Sequence, residues 1–287
     1  MHSARDSSNG FSIRQPVPFV RAGQVKVNIS PTLLKHYAQC PHRVRLQYIE
    51  RVVHPRVYNH FLSQGLIAHD LLRFGATCLK RHLPYPDDAH LFRMANLRVP
   101  ADEFPTPEAC HGYVEQIVRW VRRGLSSLDL QAEVLLVEKF RSRPFGGGDS
   151  GSTTSLLFRP DLVLRCKDDD GSFVQVIDYK TGSRFVDDDV GVMARYILKP
   201  LLRDLFADPS TARVSYTYVW LEHGARDDRD LTIEFCEDRW TSITATIDRL
   251  YAETAWPPNP TKLCRYCPYN GNACSAYRPE SLAELDA

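Results

Sequence analysis

Apolar and polar positions recur with two different periods along this chain, and the change of period organises it. The first part repeats at the spacing of amphipathic helices. Ser30 and Pro31 read as the cap and first residue of a helix reaching residue 38. Pro41 restarts a helix over 41–50, and a longer helix covers 59–81 despite Gly65 and Gly75. Thr106-Pro107 opens another, with Val114, Ile117, Val118 and Val121 as its apolar stripe. The period then shortens. Residues 132–140, 155–166 and 172–179 are apolar or alternating runs between turn-rich segments and predict strands. A Gly- and Ser-rich stretch after Pro144 predicts a flexible hairpin connection between the first two. A helix is expected over 187–206, strands over 214–221 and 231–236, and a last helix over 238–254, before Pro257, Pro258 and Pro260 interrupt the chain. No internal repeat occurs. The order predicts one α/β domain over 26–287, behind a polar, flexible arm at 1–25.

Composition narrows the class. Among 287 residues, 43% are hydrophobic and 25% charged, which excludes wholesale disorder, a collagen-like chain and a coiled coil. Lys+Arg total 36 and Asp+Glu 35, so no global charge draws the chain to polyanions. A nucleic-acid surface must come from local segregation of charge. No apolar run of about 18 residues occurs, so no membrane span is expected. Residues 1–10 are polar and predict no secretion signal, giving a cytoplasmic, reducing setting. Eight cysteines there are ligands or buried thiols rather than disulfides. Cys78, Cys110, Cys166 and Cys236 sit among apolar neighbours and read as core thiols, whereas Cys264, Cys267 and Cys274 cluster.

The chemistry gathers on two predicted strands. One carries Pro160-Asp161, the next ends in Asp178-Tyr179-Lys180. A carboxylate behind an apolar strand core is costly unless it pairs or meets a cation. Two carboxylates and a backbone carbonyl suit a hard divalent ion such as Mg²⁺ or Mn²⁺. Lys180 shares a strand face with Asp178 and is placed to orient water or neutralise phosphate charge.

These residues resemble the PD-(D/E)XK nuclease superfamily, and the string Val176-Ile-Asp-Tyr-Lys-Thr-Gly182 resembles its RecB-like branch. Gly65-Leu-Ile-Ala-His69 matches the glycine-histidine helix motif of that branch. The resemblance implies a restriction-endonuclease-like core, a central mixed sheet flanked by helices. It implies a divalent ion held by His69, Asp161, Asp178 and the carbonyl of Tyr179, with Lys180 positioning the attacking water. Asp161, Asp178 and Lys180 are the expected catalytic set, and Glu138 matches a frequent family glutamate. The helix after the lysine departs from the family: it offers Arg195 and Tyr196 without the usual glutamine, and these two are weak candidates for DNA contact.

Three clustered thiols need a fourth ligand, and their spacing alone does not choose between iron and zinc. The iron-sulfur members of the RecB-like branch, such as the AddB subunit and the CRISPR-associated spacer-processing exonucleases, supply it from near the N-terminus. Cys40 matches that position. The resemblance implies a structural [4Fe-4S] cluster on Cys40, Cys264, Cys267 and Cys274, an appendage joining the two ends of the chain. His36, His42 and His54 lie near Cys40 as alternative ligands. Arg43, Arg45, Arg51 and Arg56 form a candidate backbone-binding face, and Tyr266 and Tyr269 candidate base-stacking rings. The expected activity is a metal-dependent exonuclease on single-stranded or end-bearing DNA, in repair, recombination or CRISPR adaptation. DNA is the expected partner, and a helicase or a recombination or CRISPR adaptation protein is a candidate protein partner. The alternative is a DNA-binding or processing subunit whose nuclease site is partner-dependent or vestigial.

Overall fold

Ser30 caps the first helix through its hydroxyl, which accepts the N–H of Leu33 at 3.2 Å. In the computed structural model, residues 19–21, 24–26, 28–53, 59–145 and 154–277 are described. A ribbon of β1 (Phe19–Arg21) and β2 (Gln24–Lys26) precedes α1 (Pro31–Gln39). This ribbon falls in the stretch expected to be an irregular arm, whose other residues lie outside the described ones. Next come α2 (Pro41–Val44), running on into a π-helical turn at Arg45–Ile49, then α3 (His60–Lys80), α4 (Asp88–Asn96) and α5 (Pro107–Ser126). The strands β3 (Glu133–Val137), β4 (Arg141–Phe145), β5 (Thr154–Phe158), β6 (Leu162–Asp168) and β7 (Gly171–Lys180) follow. The chain then forms α6 (Asp188–Leu205), β8 (Val214–Trp220), β9 (Ala225–Asp230) and α7 (Ile233–Ala252).

The central sheet has the order β3-β6-β7-β8-β9. Only β7 and β8 are parallel, joined by a crossover through α6, so the sheet is mixed. Period-2 alternation divides its residues between two cores. Ile177, Tyr179, Val219 and Leu221 face α3, α4 and α5. Val174, Val176, Tyr216, Tyr218 and Trp220 face α1, α6, α7 and the β4–β5 ribbon. Every residue of β8 is buried, as a strand covered on both sides requires. No helix among the described residues is long and apolar enough to cross a membrane.

Several expected elements are corrected. The strand expected at 155–166 is two strands, because Arg159-Pro160-Asp161 leaves the ladder and Pro160 has no N–H to give it. The connection after Pro144 begins inside a strand, with Pro144 paired to Ser155. The run 231–236 alternates like a strand but starts a helix. Thr232 caps it, accepting the N–H of Phe235, and Glu234 sits in its first turn. The true strand is the charged Ala225–Asp230, an edge strand, where charged side chains keep their water and discourage pairing with other chains. Helix α4 was not expected at all.

Cys78 and Cys166 are buried, and Cys110 and Cys236 pack at the margins of the two cores.

Candidate functional site

The register brings the end of β3, the start of β6 and the end of β7 to one end of the sheet, with Val137 opposite Leu162 and Leu162 opposite Ile177. Glu138 follows β3 with φ 41°, a left-handed conformation that a non-glycine residue adopts at a cost. Its N–H donates to the main-chain oxygen of Asp161 at 3.0 Å, which ties the two acidic residues together through their backbones. Asp161 accepts the N–H of Tyr179 on Oδ2 at 2.8 Å. Its Oδ1 lies 3.3 Å from Nδ1 of His69.

His69 comes from α3, and Gly65 lets that helix approach. A Cβ at Gly65 would fall 2.9 Å from Oγ1 of Thr181, just beyond β7, so a larger residue must displace one or the other. The glycine one turn before the histidine therefore sets the helix-to-strand distance.

One ligand atom each from His69, Glu138 and Asp161 lies within 4.8 Å of the others. Two carboxylate oxygens and an imidazole nitrogen can together hold a divalent cation. Electrostatics agree. Burial and the adjacent Asp161 hold the Glu138 carboxyl above its ordinary value. Burial raises and His69 lowers the Asp161 carboxyl, and His69 with the Tyr179 N–H wins, leaving it below the usual range. His69 is lowered by burial, but Asp161 outweighs it and the imidazole is held above its ordinary value. Two acidic side chains thus converge beside one imidazole at one end of the sheet, a concentration of negative charge that a divalent cation would relieve.

Asp178 stands beside this group and is differently engaged. Its Oδ2 lies 2.7 Å from Nζ of Lys180 and accepts the hydroxyl of Tyr216, on β8, at 2.9 Å. Burial pushes the Asp178 carboxyl up against the pull of Lys180. Lys180 is lowered by burial but held above its ordinary value by Asp178, so it keeps its proton at neutral pH. Tyr179 meets the site through its main chain and an edge-on ring contact with His69, while its side chain is buried in the α3–α5 core.

All these groups line a cleft of about 1340 Å³. Basic side chains stand on its walls: Lys35, Arg51, Arg73, Arg98 and Arg159. Two rings are left exposed there, Phe140 and Phe185, at 42% and 60%. Arg159 lies over Phe140, 5.3 Å from the ring centre, and Lys35 over Phe185 at 4.9 Å. Tyr216, Phe140 and Phe185 gave no signal in the sequence, because a tyrosine or phenylalanine in or near a strand reads first as core.

Other expectations place differently. Arg195 is buried and donates to the carbonyl of Ala212 at 2.9 Å. Tyr196 stacks on Trp240 at 4.2 Å under the Arg143 guanidinium, so both residues fasten α6 to its neighbours and neither lines the cleft. Of the expected basic face, Arg51 reaches the cleft, Arg45 pairs with Glu50 at 2.6 Å, and Arg43 lines a different cavity. Arg56 and His54 lie outside the described residues. Tyr269 is buried, whereas Tyr266 is exposed beneath Arg265.

That other cavity, of about 190 Å³, is lined by Cys40, Cys264, Cys267 and Cys274 together. His42 donates its N–H to Pro257 at 3.2 Å, drawing the α1–α2 junction to the C-terminal segment. Two sulfurs accept main-chain N–H groups, Cys40 from Asn259 at 3.5 Å and Cys264 from Thr261 at 3.3 Å. Among the described residues, no three of these sulfurs lie within 4.8 Å of one another.

The family model described as the PD-(D/E)XK nuclease superfamily matches residues 28–274. No curated protein matches the chain. Among 22 matching chains of solved structures is one described as the crystal structure of SSO0001. It has 14% identity and a TM-score of 0.35, over 84% of this chain and 83% of that one.

Proposed function

This chain belongs to the PD-(D/E)XK nuclease superfamily, and we propose that it is a divalent-metal-dependent exonuclease of single-stranded or end-bearing DNA. The observation that carries the reading is the convergence of His69, Glu138 and Asp161 on one point, beside the Asp178–Lys180 pair. The three ligands, with Asp178 and the Tyr179 carbonyl at hand, would hold Mg²⁺ or Mn²⁺. The bound ion would supply Lewis acidity toward a phosphoryl oxygen and make water a better nucleophile.

The chain's own residues do the rest. Lys180 stays protonated and, fixed by Asp178, presents positive charge to a phosphate as negative charge builds on it. Tyr216 fixes Asp178 from the neighbouring strand. Exposed phenylalanines in a basic cleft support a single-stranded substrate, since a duplex keeps its bases stacked inside and offers such rings nothing. The intact set of acidic, histidine and lysine side chains argues against a vestigial site. Work in repair, recombination or CRISPR adaptation, beside a helicase or another protein of those systems, belongs to the same proposal.

We assign the cysteine cavity to a [4Fe-4S] cluster with a structural role. All four thiols line it, and N–H groups already point at two sulfurs, as they do around iron-sulfur thiolates.

The test is degradation of linear and circular single-stranded DNA, labelled at either end, with Mn²⁺. An exonuclease degrades the linear strand from one end and spares the circle. Cutting of the circle contradicts the exonuclease mode, and no cleavage of either contradicts the whole reading.

A further inference from the structure

We propose that Arg73 and Arg98, braced by Asp70, form a separate binding site for a nucleic-acid phosphate at the wall of the cleft. The proposal rests on the nuclease reading for its choice of ligand. Its geometry is independent of the metal group.

Asp70 follows His69 on α3 and accepts an ion pair on each oxygen, from Arg73 on Oδ1 and from Nε of Arg98 on Oδ2 at 2.7 Å. Arg98 also donates through Nη1 to the carbonyl of Met94 at 2.8 Å. Nη2 of Arg98, and Nε and Nη1 of Arg73, keep no partner among the described residues. Two guanidinium groups share one carboxylate, so a positive charge is left over, and it lies in the cleft. Arginine's planar fork suits phosphate oxygens, and pinning one edge of each fork fixes where the remaining donors point.

Position gives the site its meaning. Arg73 lies four residues after His69, on the same face of α3 and about 6 Å further along it. It is near enough to favour the charged form of Glu138. A strand with one phosphate at His69, Glu138 and Asp161 would lay a neighbouring phosphate on these arginines. Exposed ion pairs of this kind contribute little to stability, so holding the fold is a weak reason for two converging arginines. The ligand is either an internal phosphodiester or a terminal phosphate monoester.

The experiment measures binding of fluorescent single-stranded oligonucleotides by the full chain in EDTA, where no cleavage intervenes, across a salt series. Strands with a 5′-phosphate, a 3′-phosphate or hydroxyl ends are compared. Arg73→Ala and Arg98→Ala should each weaken binding about five- to tenfold and reduce the salt slope by about one. Arg73→Lys, which keeps the charge and loses the fork, should fall between. Arg119→Ala, on the exposed face of α5, should bind as the parent does. Equal melting temperatures across the set exclude misfolding as the cause. A loss confined to one phosphorylated strand assigns the terminal monoester, and an equal loss on all strands assigns the internal diester. Binding and slope equal to the parent's in both alanine variants would overturn the proposal, as would a parent that binds no strand. A parent that binds through these arginines yet never cleaves with Mn²⁺ removes the nuclease reading and keeps this site. Cleavage with unchanged binding in the variants does the reverse.

Discussion

Tyr216 donates its hydroxyl to Oδ2 of Asp178 at 2.9 Å, the same oxygen that Nζ of Lys180 reaches at 2.7 Å. The two contacts hold one oxygen of the Asp178 carboxylate and with it the orientation of the side chain. Orienting groups of this kind are worth 10–100-fold in metal affinity or activity. Tyr216→Phe should therefore raise the Mn²⁺ concentration needed for half-maximal cleavage, or lower turnover, by roughly tenfold. The ring stays in place and the melting temperature should barely move. An unchanged metal titration would remove the orienting role.

The cleft rings make a second expectation. Base stacking on an aromatic side chain is worth about 1–3 kcal/mol per base. Phe185→Ala and Phe140→Ala should each weaken single-stranded DNA binding by roughly tenfold, consistent with the low end of that range. Duplex binding should change little. Equal losses on single strand and duplex would mean that the rings shape the cleft rather than stack on bases.

Cys267→Ser should remove the visible absorption and the bound iron of anaerobically purified protein and lower its melting temperature by several degrees. Ligation ties Cys40 to the C-terminal segment, so losing it frees that segment. Retained iron, or colourless parent protein containing zinc, would overturn the cluster assignment.

His36 gives a pH dependence. Burial first, then Arg43 and Lys35, lower its pKa to about 4. Its Nδ1 lies 3.3 Å from the Tyr48 hydroxyl. A depressed value means that the unfolded chain takes up the proton more readily than the folded one. The contribution of neutral His36 is fully present above its ordinary value near 6.5 and is lost as pH falls toward 4. Thermal melts should show stability falling over that window, with a shallower fall in His36→Gln. Parallel curves for the two proteins would show that other groups govern the fall.

The site was largely legible because its chemistry is local: Pro160-Asp161 and Asp178-Tyr179-Lys180 each lie within a few residues on predicted strands, and Gly65 and His69 within one helical turn. Glu138 was visible as a residue, but its place among the ligands depends on a left-handed backbone that no pattern announces. Tyr216 and the Asp70–Arg73–Arg98 group were invisible for a different reason. They depend on which strand lies beside β7, and on α4, whose buried face is Leu91 and Ala95 alone, too short a stripe to register as a period. The strand misread at 231–236 shows a capped helix start imitating alternation. Its true neighbour, Ala225–Asp230, carries the charges that a sheet edge tolerates and a pattern search rejects.

The central claim is that His69, Glu138 and Asp161 hold a catalytic cation. The most direct measurement is cleavage of end-labelled single-stranded DNA by the parent chain, Asp161→Asn and Glu138→Gln, titrated with Mn²⁺ and stopped with EDTA, beside DNA binding in EDTA. The account predicts metal-dependent cleavage by the parent, loss of at least a hundredfold in each variant on the scale of lost metal-site function, and undiminished binding by all three. Cleavage that survives EDTA, or that both variants retain, would contradict it.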